Sequence, residues 1–106
     1  MNIEKWTAKM QEAIQKAITM ASEMGHQVVD VEHFLLALLE DNAGILYRVL
    51  SKANVNIADL QNKLNVRLQG KPIVSNVDIN SIRISYDLNQ LLSLADKQMH
   101  NFKDEY

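Results

Sequence analysis

Residues 25–41 read GHQVVDVEHFLLALLED, with Asp30, Glu32 and His33 set directly before a dense apolar block. How that polar trio is read decides the fold, because it could hold a metal or open a helix. Metal-assisted hydrolysis on a helix calls for His-Glu-x-x-His, which places two imidazoles on one face beside a carboxylate that takes the proton of the bound water. His33 has no second His four residues away. The helical reading uses all three residues. Asp30 can accept hydrogen bonds from the free amides of a helix that opens at Val31, Glu32 suits the positive end of the helix dipole, and His33 is placed to hydrogen-bond near the end of the preceding helix. Within the block, Val31, Phe34, Leu35, Leu36, Leu38 and Leu39 cover nearly every angle of the helical wheel, the mark of a helix buried on most sides. This helix is therefore predicted as the centre of an all-α fold.

Working outward, Met10, Ala13, Ile14, Ala17, Ala21 and Met24 recur at three- and four-residue steps. They predict an amphipathic helix over 8–24, with Thr7 as its cap and Gly25 as its stop. The residues HQVV then form a short connector. Beyond the central helix, a third helix from Asn42 is expected to turn Ile45, Leu46, Val49 and Leu50 inward and to close near Ala53, where Asn54 can take the left-handed conformation. Asn56 caps a fourth helix with Ile57, Leu60, Leu64 and Leu68 on one side and Gly70 as its stop. Residues 71–84, KPIVSNVDINSIRI, contain the only Pro and mix β-branched with polar residues. They predict an extended linker, since no second strand candidate offers pairing. Ser85 then caps a fifth helix with the stripe Leu88, Leu91, Leu92, Ala95, Met99 and Phe102.

A chain of 106 residues, 47% hydrophobic and 23% charged, has the size and balance of one globular domain. Eleven basic and thirteen acidic residues give a formal charge of −2 without a basic cluster, which argues against nucleic acid as a partner. The chain has no Cys, so it offers no disulfide or thiolate site, and a reducing cytoplasmic location is the simplest expectation. The charged N-terminus does not resemble a signal peptide, and the run Phe34 to Leu39 is far short of the roughly 20 apolar residues of a membrane span. No Gly-x-x-x-x-Gly-Lys-Ser/Thr loop occurs, His26 and His100 lie at no metal-ligand spacing, and no Ser or Thr is matched to a His and a carboxylate. Catalytic, cofactor and metal sites are therefore not expected in this chain.

Sliding the sequence by 78 residues sets Ser85 on Thr7, Leu88 on Met10, Leu92 on Ile14, Ala95 on Ala17, Met99 on Ala21 and Phe102 on Met24, so cap and apolar phase coincide. Together with GHQVVDVEHFLLALLED, GILYRVLSKANVNIADLQNKL, the KPIV linker and a closing KDEY, this order resembles the Clp N-terminal repeat domain, found at the head of AAA+ chaperones and of Clp protease regulatory subunits. The KPIV lead, and the Asp30-Val31 pair before Glu32-His33 where the protease type has Gly-Thr, look most like the ClpB disaggregase branch. The resemblance covers essentially the whole chain. It implies two helical pseudo-repeats, a first repeat over about 1–70, a linker over 71–84 and a partial second repeat over 85–106, with about five helices in all. Lys103 departs from the usual Gly of the second copy, and the sequence stops before the second Glu-His-Leu-Leu-like helix, as a fragment would.

The resemblance further implies a domain that binds misfolded or aggregated polypeptide for an ATP-driven, hexameric motor, with ATP and Mg belonging to the parent protein. The surface it implies lies at the start of helix one and the corner after helix five, which here hold Thr7 and Asp104. A plain cap and a plain turn former are the competing roles of these two. Leu94 and Tyr86 fall off the inward stripe of helix five, and with Trp6 and Leu91 they could form a contiguous protein-binding patch. Protease-type relatives use the Glu of this motif to hold the guanidinium of phosphoarginine, which makes Glu32 the contact of an alternative, adaptor-like reading. A third reading is a self-associating module in which helix five buries its stripe against a second copy.

Overall fold

A computed structural model describes the backbone of residues 3–104 and the side chains of residues 8–95 and 97. Five helices follow one another: α1 (Ile3–Glu23), α2 (Val31–Leu39), α3 (Ile45–Lys52), α4 (Ile57–Gln69) and α5 (Tyr86–Asp104). The fold is all-α in class, with one minor addition. Two-residue strands β1 (Val28–Val29) and β2 (Arg83–Ile84) pair in parallel, and a 3-10 turn covers Ile79–Ser81.

The helix ends follow from local chemistry. After α1, Gly25 adopts φ 79; the His26 amide donates to the Ala21 carbonyl at 2.8 Å and the Gly25 amide to Ser22 at 3.1 Å. This is the left-handed closure in which two orphan carbonyls of the last turn gain donors. Asn54, at φ 62, repeats the device after α3, where Val55 donates to Leu50 and Asn54 to Ser51. The Asn56 side chain accepts from the Asp59 amide at 3.1 Å to open α4, and Ser85 Oγ accepts from Leu88 at 3.1 Å to open α5. The caps predicted at Asp30, Asn56 and Ser85 all stand.

Three expectations are corrected. First, α1 begins at Ile3, so Thr7 lies inside the helix and is not its cap. The residues before it include neither Gly nor Pro, and Glu4 near the N-terminus favours the helix dipole, so nothing stops the helix from extending upstream. Second, the connector HQVV contains β1 and the linker contains β2. Gln27 O accepts from the Arg83 amide at 3.1 Å and Val29 O from the Ser85 amide at 2.8 Å. Third, α3 turns Leu46, Tyr47 and Leu50 toward the core and leaves Ile45 and Val49 about half exposed, at 49% and 56%. Eight residues can bury only one arc, and Leu46, Tyr47 and Leu50 share the arc that faces the second cluster.

Two apolar clusters share α2. On one side the small residues Ala13, Ala17 and Ala21 of α1 recur every fourth position, all essentially buried, and let α2 approach closely enough to pack Phe34 and Ala37 against them. Val29 of β1 and Leu88 of α5 complete this cluster. On the other side Leu36 and Leu39 meet Ile57, Leu64 and Leu68 of α4. Among the described residues of α5, Leu88 is fully buried, whereas Leu92 and Ala95 are only partly so. Among the described residues no helix is long and apolar enough to cross a membrane.

Candidate functional site

The polar trio of the central helix is built into a junction. Asp30 Oδ1 accepts from the Val31 amide and from the Ser85 hydroxyl, each at 2.8 Å, while Oδ2 accepts from Lys71 Nζ at 2.8 Å. One carboxylate therefore opens α2, steadies the residue that opens α5 and anchors the start of the 71–84 segment. Partial burial works to raise the Asp30 pKa, but the Lys71 ammonium and the donors of Val31 and Ser85 outweigh it and hold the carboxyl at about 2. In return, the hydrogen bond to Asp30 pushes the Lys71 ammonium up against the opposing effect of its own burial.

His33 closes a reciprocal cap: its Nδ1 accepts the Asp30 amide at 2.9 Å, the role usually taken by Glu or Gln at this position. An accepting Nδ1 carries no proton, so neutral His33 bears its hydrogen on Nε2. That hydrogen points to His26 Nδ1, 2.9 Å away, with the rings edge to face. Burial lowers the His33 pKa to about 4, helped by His26 and Lys71, and burial followed by Lys71 lowers that of His26. His26, in the loop between α1 and β1, is only 4% exposed. The sequence did place a hydrogen bond from His33 near the end of α1; the partner was not legible there.

Glu32 lies 3.6 Å from Lys71 and lines an open groove of about 790 Å³ bounded by α2, α4 and the first turn of α5, with Leu35, Leu60, Arg67 and Asp87 among its walls. Its lining mixes apolar side chains with charges of both signs. Among the described residues no group of three or more His, Asp or Glu could hold a metal.

The remaining candidates lie on α5. Tyr86 is 76% exposed, Leu94 58% and Leu91 37%. Leu91, expected in the inward stripe, is instead at the edge of the exposed face, one turn from Leu94. Trp6 and Thr7 belong to the backbone of α1 and Asp104 ends α5, but their side chains lie outside the described residues, as do those of Met99 and Phe102. The expected contiguity of a patch through Trp6 lies outside the described residues as well.

Residues 5–106 match the family model described as the Clp repeat (R) N-terminal domain. The chain belongs to that family. Among curated relatives, the chaperone protein ClpB of Bacillus cereus is 36% identical over 108 residues, and those of Vibrio cholerae and Porphyromonas gingivalis are 31% and 27% identical over 106 residues. Each match covers 100% of this chain and 12% of the relative. The Clp repeat domain described here thus resembles the ClpB N-terminal region, and spans about an eighth of those proteins' length.

Proposed function

We propose that this Clp repeat domain captures unfolded or aggregated polypeptide for a ClpB-like, cytoplasmic AAA+ disaggregase, whose ATP, Mg and hexameric motor lie elsewhere in the parent protein. The observation that supports this reading is the set of large apolar side chains left open on α5, Tyr86, Leu91 and Leu94, on a helix whose fully buried anchor is Leu88. Contacts through such a face are sequence-tolerant, since area burial is non-directional, and weak, since a few hundred Å² of apolar surface must offset the loss of chain freedom on binding. Weak capture suits a motor that has to pull its client away. Trp6, Thr7 and Asp104 extend the proposed surface, with the Asp104 carboxylate favouring basic stretches in clients.

Titrating the labelled domain with a permanently unfolded protein tests this. Amide shifts are expected around Leu91 and Leu94, and Leu91→Ser with Leu94→Ser should weaken binding at least about tenfold, since the exposed parts of the two, 37% and 58%, together equal about one leucine side chain, worth roughly 1.5–3 kcal/mol when covered. Saturating client with no response along α5 would sink the reading. The phosphoarginine alternative at Glu32 is less favoured, because the Lys71 ammonium at 3.6 Å already faces that carboxylate and a guanidinium would have to displace it. Self-association through α5 predicts a concentration-dependent mass in light scattering.

A further inference from the structure

Helix α3 carries a second exposed face that the α5 reading does not use. At about 100° per residue, Arg48, Lys52, Ile45 and Val49 fall within one arc of about 100°, opposite Leu46 and Leu50. The observed accessibilities agree: Ile45 and Val49 are 49% and 56% exposed, Arg48 and Lys52 are exposed, and Leu46, Tyr47 and Leu50 are partly buried against the second cluster. Two β-branched apolar residues thereby lie alongside two cations, the apolar pair on one edge of the arc and the cations on the other. Among the described residues neither cation takes part in an ion pair, whereas Lys9, Lys63 and Lys71 each do. Between Asp41 and Asp59 the chain has no acidic residue at all, although its formal charge is −2. The strip is a local reversal of the molecule's charge, laid over exposed hydrocarbon.

We propose that the outer face of α3 is a docking surface for an acidic amphipathic polypeptide segment, one in which Asp or Glu alternate with Leu, Ile or Phe. The occupant's chemistry follows from the strip. Its apolar residues cover Ile45 and Val49, and its carboxylates meet Arg48 and Lys52, the first able to take a carboxylate bidentately. Opposite charge steers the encounter and sets orientation, while the apolar pair supplies the buried area. The inference rests on α3 alone and stands or falls apart from client capture by α5.

The test uses the labelled domain with a short Leu/Glu peptide, its Leu/Lys counterpart and anionic phosphatidylserine vesicles. The Leu/Glu peptide should shift the amides of Ile45, Arg48, Val49 and Lys52, weaken on going to about 0.3 M salt, and lose about tenfold or more in affinity with Arg48→Glu and Lys52→Glu together. These are surface residues, so far-UV circular dichroism should be unchanged; the milder pair Arg48→Gln and Lys52→Gln should lose part of the affinity. The proposal is overturned by an absence of shifts on α3, by equal response to the Leu/Lys peptide, by α3 shifts that grow with protein concentration alone, which would assign the face to a second copy, or by binding to vesicles without binding to the peptide.

Discussion

Protonating His33 breaks one contact and buries a charge. A hydrogen added to Nδ1 would face the Asp30 amide that Nδ1 now accepts, and the positive ring would sit buried beside His26 and Lys71. The folded pKa of about 4 lies below the unfolded value of 6.5, so the unfolded chain takes up the proton first. Stability is then unaffected by this group above about pH 6.5 and falls progressively as pH drops from there to 4, by on the order of 3 kcal/mol. Asp30 is shifted in the same direction, here because its charged form is favoured, and the outcome is the same at lower pH: its stabilisation is complete above about pH 4 and fades as pH falls toward 2. His33→Gln separates the two. Gln can still accept the Asp30 amide, as in an ordinary capping box, but does not titrate. Urea unfolding across pH 4 to 7 should give a clearly shallower loss for the variant, with the remaining slope due to His26. An unchanged slope would show that His33 is not the group responsible.

At the scale of elements, Asp30 holds α2, α5 and the 71–84 segment to one point. Asp30→Ala removes a helix cap, worth about 0.5–2 kcal/mol, and leaves the Lys71 ammonium and the Ser85 hydroxyl without their shared acceptor; a total cost of about 2–4 kcal/mol is expected in denaturant unfolding. Glu32→Gln should cost under about 1 kcal/mol, because its contact with Lys71 is longer and Asp30 remains. Equal costs would mean that the junction is not centred on Asp30. The helices were legible in sequence because caps and apolar phase are local: Asp30, Asn56, Ser85, Gly25 and Asn54 each act within a few residues. What was not legible depends on distant partners. Val28 and Val29 look like a connector until Arg83 and Ile84 arrive alongside, His26 looks exposed until His33 turns toward it, and Ile45 and Leu46 are equivalent until α4 selects one of them. For the site, the sequence supplied Leu94 and Tyr86 as outward residues but put Leu91 in both the inward stripe and the outward patch, since adjacent angles on a wheel do not say how much of α5 is covered.

Across the whole molecule, burial is unequal. α2 is enclosed by two clusters, whereas among the described residues of α5 only Leu88 is fully buried. Leu88→Ala should cost about 2–5 kcal/mol, the range for emptying a buried leucine site. Its local effect is more diagnostic than its size. Amide hydrogen exchange is expected to rise first along α5 and in the β1–β2 pair, with α2 and α4 keeping their protection; a uniform rise over all five helices would indicate that α5 is integral to a single cooperative unit. That graded fastening fits the proposed role of α5 as the face that meets clients.

The parallel pairing of β1 with β2 also has a temporal side. Val28 and Val29 are partnered by residues 55 positions later, so on a ribosome adding roughly 5–20 residues per second they would wait about 3–11 seconds for their complement. Throughout that interval the nascent chain can wind its early helices but cannot seal the seam, and the growing protein spends those seconds as a client of the kind its finished form is proposed to seize.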